Sequence, residues 1–180
     1  MNTFMNITLK IIKDYPKPGV NFLDINPLLQ EPKQFAYVID ELARWAQQTK
    51  TDISKTAIIV PEARGFIFGA PVAYKLGLPL LLIRKKGKIP NNPYSFHITN
   101  EYSSYDMEID GDLLEKYDKF IYIDDILATG QTLASVRQAL KNKGKEMVLS
   151  LHVADVPALK SLRDGNAQLK DLTIKVVLKS

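Results

Sequence analysis

The chain has no cysteine among its 180 residues, and this absence excludes disulfide bonds and thiolate chemistry. It fits a cytoplasmic protein, and we expect that localisation. No apolar run approaches the roughly 20 residues that a membrane-spanning helix needs, so we expect no membrane partner. The first residues, MNTFMNITLKII, lack the charged, apolar and small-residue order of a signal peptide.

Neither sign of charge dominates the chain, because its formal net charge is only +4. Much of the basic excess lies in residues 84–88 and 141–145. A nucleic-acid surface or a small polyanionic substrate would each explain the first of these clusters. The sequence has neither the aromatic spacing nor the fold signals of a nucleic-acid-binding module. We therefore expect a small polyanion and no nucleic-acid partner.

Hydrophobic spacing predicts strands that alternate with helices. The predicted strands are Ala57–Val60, Leu80–Ile83, Phe120–Ile123, Met147–Val153 and Leu172–Leu178. The predicted helices are Lys33–Gln48, Phe66–Leu76, Gln131–Lys143 and Pro157–Leu162. The chain shows no internal repeat or linker, so this pattern indicates an α/β fold in a single domain over residues 1–180. Its central sheet should be mainly parallel, with helices on both faces.

The stretch Phe120–Thr132, FIYIDDILATGQT, is the most informative part of the sequence. Its apolar strand ends on the carboxylates Asp124 and Asp125, and a small-residue turn leads into the next helix. The turn consists of Ala128, Thr129, Gly130, Gln131 and Thr132. Backbone N–H groups in such a loop, with the positive end of the helix, favour an anion such as phosphate. The carboxylates suit ribose hydroxyls or a hydrated Mg²⁺.

Three polar motifs follow predicted strands directly, at residues 62–65, residues 84–88 and Asp124–Thr132. In parallel sheets, ligands bind beyond the carboxyl ends of the strands. We therefore expect the three motifs to form one site.

Two segments do not fit the alternation. Residues 14–29 contain too much Pro and Gly for a helix or a central strand, and we interpret them as a loop that packs against the core. Residues 85–107 begin with Gly87, Pro90 and Pro93 and continue as a polar and aromatic run. A loop of this length is either a disordered insertion or a functional lid. Its basic beginning favours a flexible lid that closes over a charged substrate.

The Phe120–Thr132 block resembles the phosphoribosyl pyrophosphate signature of the type I phosphoribosyltransferases, in which a hydrophobic strand precedes DD, an apolar pair and ATG-x-T. Further segments resemble the adenine phosphoribosyltransferases and occur in that family's order. They are YPKPGVNFLDINPLL at 15–29, EARGFIFGAP at 62–71, RKKGKIP at 84–90, the pair Glu101-Tyr102 and MEI at 107–109. The resemblance covers about Ile11 to Val153.

The resemblance implies a type I phosphoribosyltransferase fold with a small N-terminal hood at about residues 14–29 and a lid at about residues 85–107. It implies that the protein transfers a phosphoribosyl group from phosphoribosyl pyrophosphate to adenine and releases pyrophosphate. The product would be AMP, the cofactor Mg²⁺, the pathway purine salvage and the assembly a homodimer. One subunit's basic residues could then reach its neighbour's site.

The resemblance also implies roles for individual residues. Arg64 would stabilise the departing pyrophosphate, beside a non-proline cis peptide at or near Glu62–Ala63. Lid cations would add charge, and Tyr102 would also contact the substrate; the cations are Arg84, Lys85 and Lys88. Asp124 and Asp125 would hold the ribose hydroxyls and lie near Mg²⁺, which the substrate would mainly hold.

The remaining roles concern the phosphate and the base. Ala128–Thr132 would wrap the 5′-phosphate. Phe22 would stack on adenine, with Val20 and Asn21 beside it. Glu101 would accept the proton that leaves the N9 nitrogen. The expected catalytic residues are therefore Glu101, Arg64 and Lys88.

Some features leave alternatives open. Leu23, Pro61 and Gln131 depart from the family's pattern, and the first two lie near the expected base or pyrophosphate. The protein could instead use another nucleobase, or bind phosphoribosyl pyrophosphate as a non-catalytic regulator. His97 and His152 lack a partner pattern, and we interpret them as structural or solvated.

Overall fold

The computed structural model describes residue 7 and residues 9–99 and 104–178. Two short antiparallel strands, β1 (Lys10–Ile12) and β2 (Phe22–Asp24), form a small sheet near the N-terminus. The main sheet contains β3 (Thr56–Pro61), β4 (Leu80–Lys85), β5 (Pro93–Thr99), β6 (Ser104–Asp110), β7 (Lys119–Leu127), β8 (Glu146–Asp155) and β9 (Ile174–Leu178). Its seven strands lie in the order β5-β6-β4-β3-β7-β8-β9.

The sheet is mainly parallel, as the sequence predicts. The strands β4, β3, β7, β8 and β9 pair in parallel, and β6 pairs antiparallel with both β4 and β5. Parallel neighbours need crossover connections, and helices supply them on both faces of the sheet. These helices make the strand order non-sequential, so segments distant in the chain meet at one edge.

The helices are α1 (Asn26–Gln30), α2 (Pro32–Gln47), α3 (Arg64–Leu76), α4 (Gly111–Glu115), α5 (Gln131–Asn142) and α6 (Lys160–Asp164). None of the helices within the described residues is long and apolar enough to span a membrane. The helix predicted at Pro157–Leu162 is a short 3₁₀ turn at Pro157–Leu159 that leads into α6.

Alternate side chains of β3 divide the core between the two faces of the sheet. Ile58 and Val60 belong to the cluster that includes apolar residues of α2 and α3. Ala57 and Ile59 belong to the cluster that includes residues of α5. Every residue of β3 is buried, which explains why the strand is apolar throughout rather than alternating.

The interpretation of residues 85–107 as a long loop was wrong for residues 93–99 and 104–107. Residues 93–99 and 104–110 pair as the antiparallel hairpin β5-β6, which extends the main sheet. Tyr94, Phe96 and Ile98 alternate with polar residues, the period-two pattern of a half-buried strand. The Tyr94 hydroxyl donates to the Ala139 carbonyl of α5 at 3.1 Å and fastens the hairpin to the helix.

Residues 14–29 are also more regular than the sequence suggested. They contain β2 and the one-turn helix α1, and Pro27 lies in the first turn of that helix. A proline is tolerated there because the first N–H groups of a helix have no intrahelical partner. The buried side chains of Ile25 and Leu28 join this segment to the core beneath α2.

We expect Gly69→Ala to destabilise the fold, because a Cβ at this position of α3 would overlap Cγ1 of Val60 on β3. The overpacking should lower the free energy of unfolding by about 1–3 kcal/mol, measured by urea denaturation. Val60→Ala in the same chain should restore part of that loss. Gly165→Ala is the matched control, since a Cβ there would make an ordinary contact at 3.4 Å. Equal stability of Gly69→Ala and wild type would contradict this close packing.

Candidate active site

A cavity of about 430 Å³ opens at the carboxyl edge of the parallel sheet. The N-terminal segment forms one wall, the loop after β7 forms another, and the ends of β7 and β8 form the floor. Residues from these elements line it: Gly19, Val20, Asn21, Phe22, Leu23, Arg64, Tyr122, Asp124, Ile126–Leu133, His152, Val156, Ala158 and Leu159. The cavity therefore joins three segments that are far apart in the chain.

The acidic pair lies within β7, not at its end. The strand continues to Leu127, four residues beyond the predicted end, because Asp124 and Ile126 pair with His152 and Ala154 of β8. The sequence prediction stopped the strand early, since carboxylates are rare inside buried strands. Because Asp124 and Asp125 both lie within a strand of the sheet, their backbone positions are fixed without a bound ligand.

Asp124 is partly buried, lines the cavity and receives two hydrogen bonds. The buried Tyr122 hydroxyl donates to Oδ2 at 3.0 Å, and the Asp125 N–H donates to Oδ1 at 2.9 Å. Burial, followed by the negative charge of Asp125, raises the pKa of Asp124 well above its usual range. A cation at this position would relieve that repulsion.

Arg64 is the first residue of α3 and reaches from there to the acidic pair. Its Nε lies 2.7 Å from Asp125 Oδ2, and its guanidinium carbon lies 5.1 Å from the Phe22 ring centroid. The preceding Glu62–Ala63 peptide is cis, as the resemblance implied. Arg64 Nη1 is buried and has no hydrogen-bond partner among the described residues. A buried donor without a partner beside an open cavity is suited to an anionic ligand.

The loop after β7 has the geometry of an anion site. Gly130 has φ +77 and occupies the N-cap position of α5, where it offers no side-chain cap. The first N–H groups of α5 are therefore available to a ligand, and the helix dipole makes this end positive. Gln131 is the first helical residue, so it needs no positive φ, and its departure from the family's glycine is compatible with the loop.

The structure does not bring all expected site residues to this cavity. Arg84 forms an ion pair with Glu62, Nε to Oε2 at 2.9 Å, and Lys85 and Lys88 are exposed. None of the three lines the cavity of its own chain, and the buried Asp125 does not line it either. Because β3 lies between β4 and β7 in the sheet, residues 84–88 stay outside this cavity, and the roles expected of them stay predictions.

Two further expectations concern segments at the edges of the site. Glu101 and Tyr102 lie outside the described residues, so their roles stay predictions.

The N-terminal residues expected at the base do line the cavity: they are Val20, Asn21 and Phe22. The half-buried Leu23, which replaces the family's basic residue, also lines it. Pro61 packs closely beneath α3, where a Cβ on Gly65 would lie 2.8 Å from its Cδ.

Sequence reasoning missed His152 as a residue of this cavity. It is buried, its Nε2 lies 2.7 Å from Ser150 Oγ, and its Nδ1 has no hydrogen-bond partner among the described residues. Burial, and then the charge of Arg163, lowers its pKa from 6.5 to about 3, so the ring is neutral near pH 7. Only the register that places His152 beside Asp124 could have shown its position. Sequence reasoning also missed three cavity residues that follow β8, because none of the predicted motifs lies there. These residues are Val156, Ala158 and Leu159.

A family model described as the phosphoribosyl transferase domain matches residues 28–174. The chain belongs to the phosphoribosyltransferase family. The predicted α/β fold with a mainly parallel sheet is that of this family, and the resemblance to adenine phosphoribosyltransferases is confirmed by its relatives.

Two curated relatives of this phosphoribosyltransferase are named adenine phosphoribosyltransferase. The one from Clostridium botulinum (strain Hall) is 40% identical over 152 residues, which are 84% of this chain and 86% of the relative. The one from Treponema denticola is 36% identical over 174 residues, or 97% and 87% of the two chains. The similarity thus extends over nearly the whole length of each protein.

Solved structures agree with the sequence relatives. The adenine phosphoribosyltransferase from Thermoanaerobacter pseudethanolicus superimposes with a TM-score of 0.83 at 35% identity, covering 96% of this chain and 95% of that one. The Giardia lamblia enzyme, solved with 9-deazaadenine, gives a TM-score of 0.84 at 25% identity and covers 96% and 93%.

We expect His152 to contribute to acid unfolding of this phosphoribosyltransferase. Its pKa of about 3 in the fold lies below the ordinary 6.5, so the unfolded chain binds a proton that the folded chain excludes. The free energy of unfolding should therefore fall as the pH drops from 6.5 towards 3, by up to about 1.4 kcal/mol per pH unit.

Denaturant unfolding between pH 4 and pH 7 measures this dependence. His152→Gln should remove that part of the slope, whereas Ser150→Ala should keep it, because the control retains the buried imidazole. An identical slope in His152→Gln and wild type would show that His152 does not couple folding to pH.

Proposed function

We propose that this phosphoribosyltransferase transfers the 5-phosphoribosyl group of phosphoribosyl pyrophosphate to adenine, forming AMP and pyrophosphate in cytoplasmic purine salvage. One observation carries the proposal: a single cavity is lined by Asp124, by Arg64 and by an anion-binding loop, and Arg64 Nη1 is buried without a hydrogen-bond partner among the described residues. The relatives named adenine phosphoribosyltransferase support the choice of base.

The proposed reaction breaks the bond between C1′ of the ribose and the pyrophosphate oxygen, and it forms a bond between C1′ and adenine N9. Negative charge then accumulates on the departing pyrophosphate. Arg64 Nη1, buried and without a partner among the described residues, is placed to donate to that charge. A donor that is already oriented stabilises the transition state by a few kcal/mol, since it need not reorganise.

The loop Ala128–Thr132 would hold the 5′-phosphate, and the acidic pair would hold the ribose between the two anionic groups. Backbone N–H donors suit the phosphate, whereas carboxylate acceptors suit the sugar hydroxyls. This division of donors and acceptors fixes the orientation of the sugar, so that C1′ faces Arg64 and the base.

The acidic pair also fits Mg²⁺. Carboxylate oxygens are ligands this ion prefers. Burial, and then the negative charge of Asp125, raises the pKa of Asp124, and a cation would relieve the repulsion between the two carboxylates. The described residues contain no group of three or more potential metal ligands, so substrate oxygens would complete the coordination. When bound, Mg²⁺ would neutralise part of the pyrophosphate charge.

Phe22 would stack on adenine, with Val20 and Asn21 beside the edge of the ring. Phe22 is half-buried, and its ring contacts Tyr15 edge-on at a centroid distance of 5.3 Å. This contact holds the ring at the cavity, which reduces the entropy that binding must overcome. Glu101 remains the proposed acceptor of the N9 proton, with Tyr102 next to it.

Turnover of a base panel tests the function. With phosphoribosyl pyrophosphate and Mg²⁺, we expect kcat/KM for adenine to exceed the values for hypoxanthine, guanine, xanthine and orotate by at least about 100-fold. A base-recognition site rejects an analogue strongly when buried polar groups would lose their partners. A faster reaction with another base would overturn the choice of adenine. Binding of phosphoribosyl pyrophosphate without turnover of any base would favour a regulator.

We also propose a homodimer formed through α3. An exposed stripe begins at Ala63, the N-cap of this helix, and continues along it through Ile67, Ala70 and Tyr74. Tyr74 is 91% exposed. Arg84 borders the stripe, because its guanidinium lies 5.9 Å from the Phe66 ring centroid. A second copy packed on α3 would bury the stripe and bring the basic residues 84–88 close to its partner.

Tyr74→Glu should convert the dimer to a monomer, because it places a charge in a desolvated interface. Analytical ultracentrifugation measures the change. Leu113→Glu is the matched control, since Leu113 is also an exposed apolar residue, at 38%, but belongs to α4, which packs on the opposite face of the sheet from α3. If the basic residues act across the interface, the monomer should lose at least about tenfold in kcat/KM for phosphoribosyl pyrophosphate. A monomeric wild type would refute this assembly.

A further inference from the structure

A buried arginine lies directly behind the loop Ala128–Thr132. Arg163 belongs to α6, and its side chain is only 7% exposed. Its Nη1 donates to the carbonyls of Leu127 at 3.3 Å, Ala128 at 2.8 Å and Val156 at 2.8 Å, and its Nη2 donates to Asp155 Oδ2 at 2.7 Å. One guanidinium thus joins the end of β7, the end of β8 and the start of the loop.

The contacts with the loop determine where its donors point. In a trans peptide the C=O and N–H groups point in opposite directions. Because the Ala128 carbonyl points to Arg163, the Thr129 N–H points away from it. Ala128 and Thr129 line the cavity, whereas Arg163 does not. The start of the loop therefore lies between the guanidinium and the cavity, with the Thr129 N–H directed away from the guanidinium.

The aliphatic part of Arg163 also supports the loop. A Cβ added to Gly130 would lie 3.5 Å from Arg163 Cγ and 2.8 Å from Leu169 Cδ1. The turn at Gly130 thus rests on a surface formed by these two side chains. These two side chains limit how far the turn can move away from the edge of the cavity.

We propose that Arg163 is a positioning residue for phosphoribosyl pyrophosphate, which it orients through the loop and does not touch. The inference rests on the proposed function. Asp155 balances the charge of the guanidinium, so we assign the effect to the geometry of the loop donors rather than to a long-range field. Lysine could not replace it, because a single ammonium cannot reach the three carbonyl groups and the carboxylate in the way a planar fork does.

Arg163→Gln tests the inference through the affinities for the two substrates. We expect the Kd for phosphoribosyl pyrophosphate with Mg²⁺, measured by calorimetry, to rise by about 10- to 100-fold, since losing hydrogen bonds to a charged phosphate costs about that much affinity. The Kd for adenine should change by less than about threefold. Arg163→Lys should show most of the same loss. A purely structural role would lower Tm and leave both affinities unchanged.

Lys145→Gln is the matched control. Lys145 is also a buried cation that contacts a backbone carbonyl, that of Glu115, and a carboxylate, that of Asp118, but it lies next to the start of β8, at the edge of the sheet opposite the cavity. This variant should lose thermal stability and keep the affinity for phosphoribosyl pyrophosphate. If Arg163→Gln does not fold, Asp155→Asn serves instead, because it removes the carboxylate that orients the guanidinium. We expect a smaller loss of affinity, of about three- to tenfold, in that variant.

The outcomes separate the two proposals. If wild type binds phosphoribosyl pyrophosphate and the folded Arg163 and Asp155 variants bind it equally well, the positioning role is overturned and the function stands. If wild type does not bind it, the proposed function fails and the positioning role fails with it. If wild type binds it but prefers a base other than adenine, the Arg163 measurement still decides the positioning role.

Discussion

Two adjacent carboxylates held inside a parallel sheet are the constraint on which the site depends. Such a pair is costly, because burial and mutual repulsion both oppose the charged forms. The fold compensates with the Tyr122 hydroxyl, the Asp125 N–H and the Arg64 guanidinium, all within 3.0 Å of a carboxylate oxygen. The arrangement is stable enough to fold and remains suited to a cation or a sugar.

The rest of the site surrounds this pair with anion-binding groups. Arg64 lies on one side and the N-terminus of α5 on the other, so a ligand with two anionic ends and a hydroxylated centre matches the cavity. The basic residues at the end of β4 are absent from the cavity of their own chain. They lie beside the exposed stripe of α3, so the site would be complete only in the proposed dimer.

The sequence located most helices and strands, because the spacing of apolar residues in each one reflects which of its faces is buried. The predicted helix Lys33–Gln48 differs from α2 by one residue at each end. The hairpin β5-β6 was missed, since Pro93 and the surrounding polar residues resembled a loop while Tyr94, Phe96 and Ile98 carried the strand signal. The strand β7 was cut short for a similar reason, because its last four residues begin with two carboxylates.

The sequence by itself determined the family, the class of fold and the chemistry of the Phe120–Thr132 block, because these depend on the local order of residue types. Tertiary structure alone decided which distant groups meet. Strand order kept Arg84, Lys85 and Lys88 away from the acidic pair, and the register of β7 with β8 brought His152 beside Asp124. Tertiary structure also placed Arg163 behind the loop Ala128–Thr132. Such contacts join residues far apart in the chain, and no local pattern encodes them.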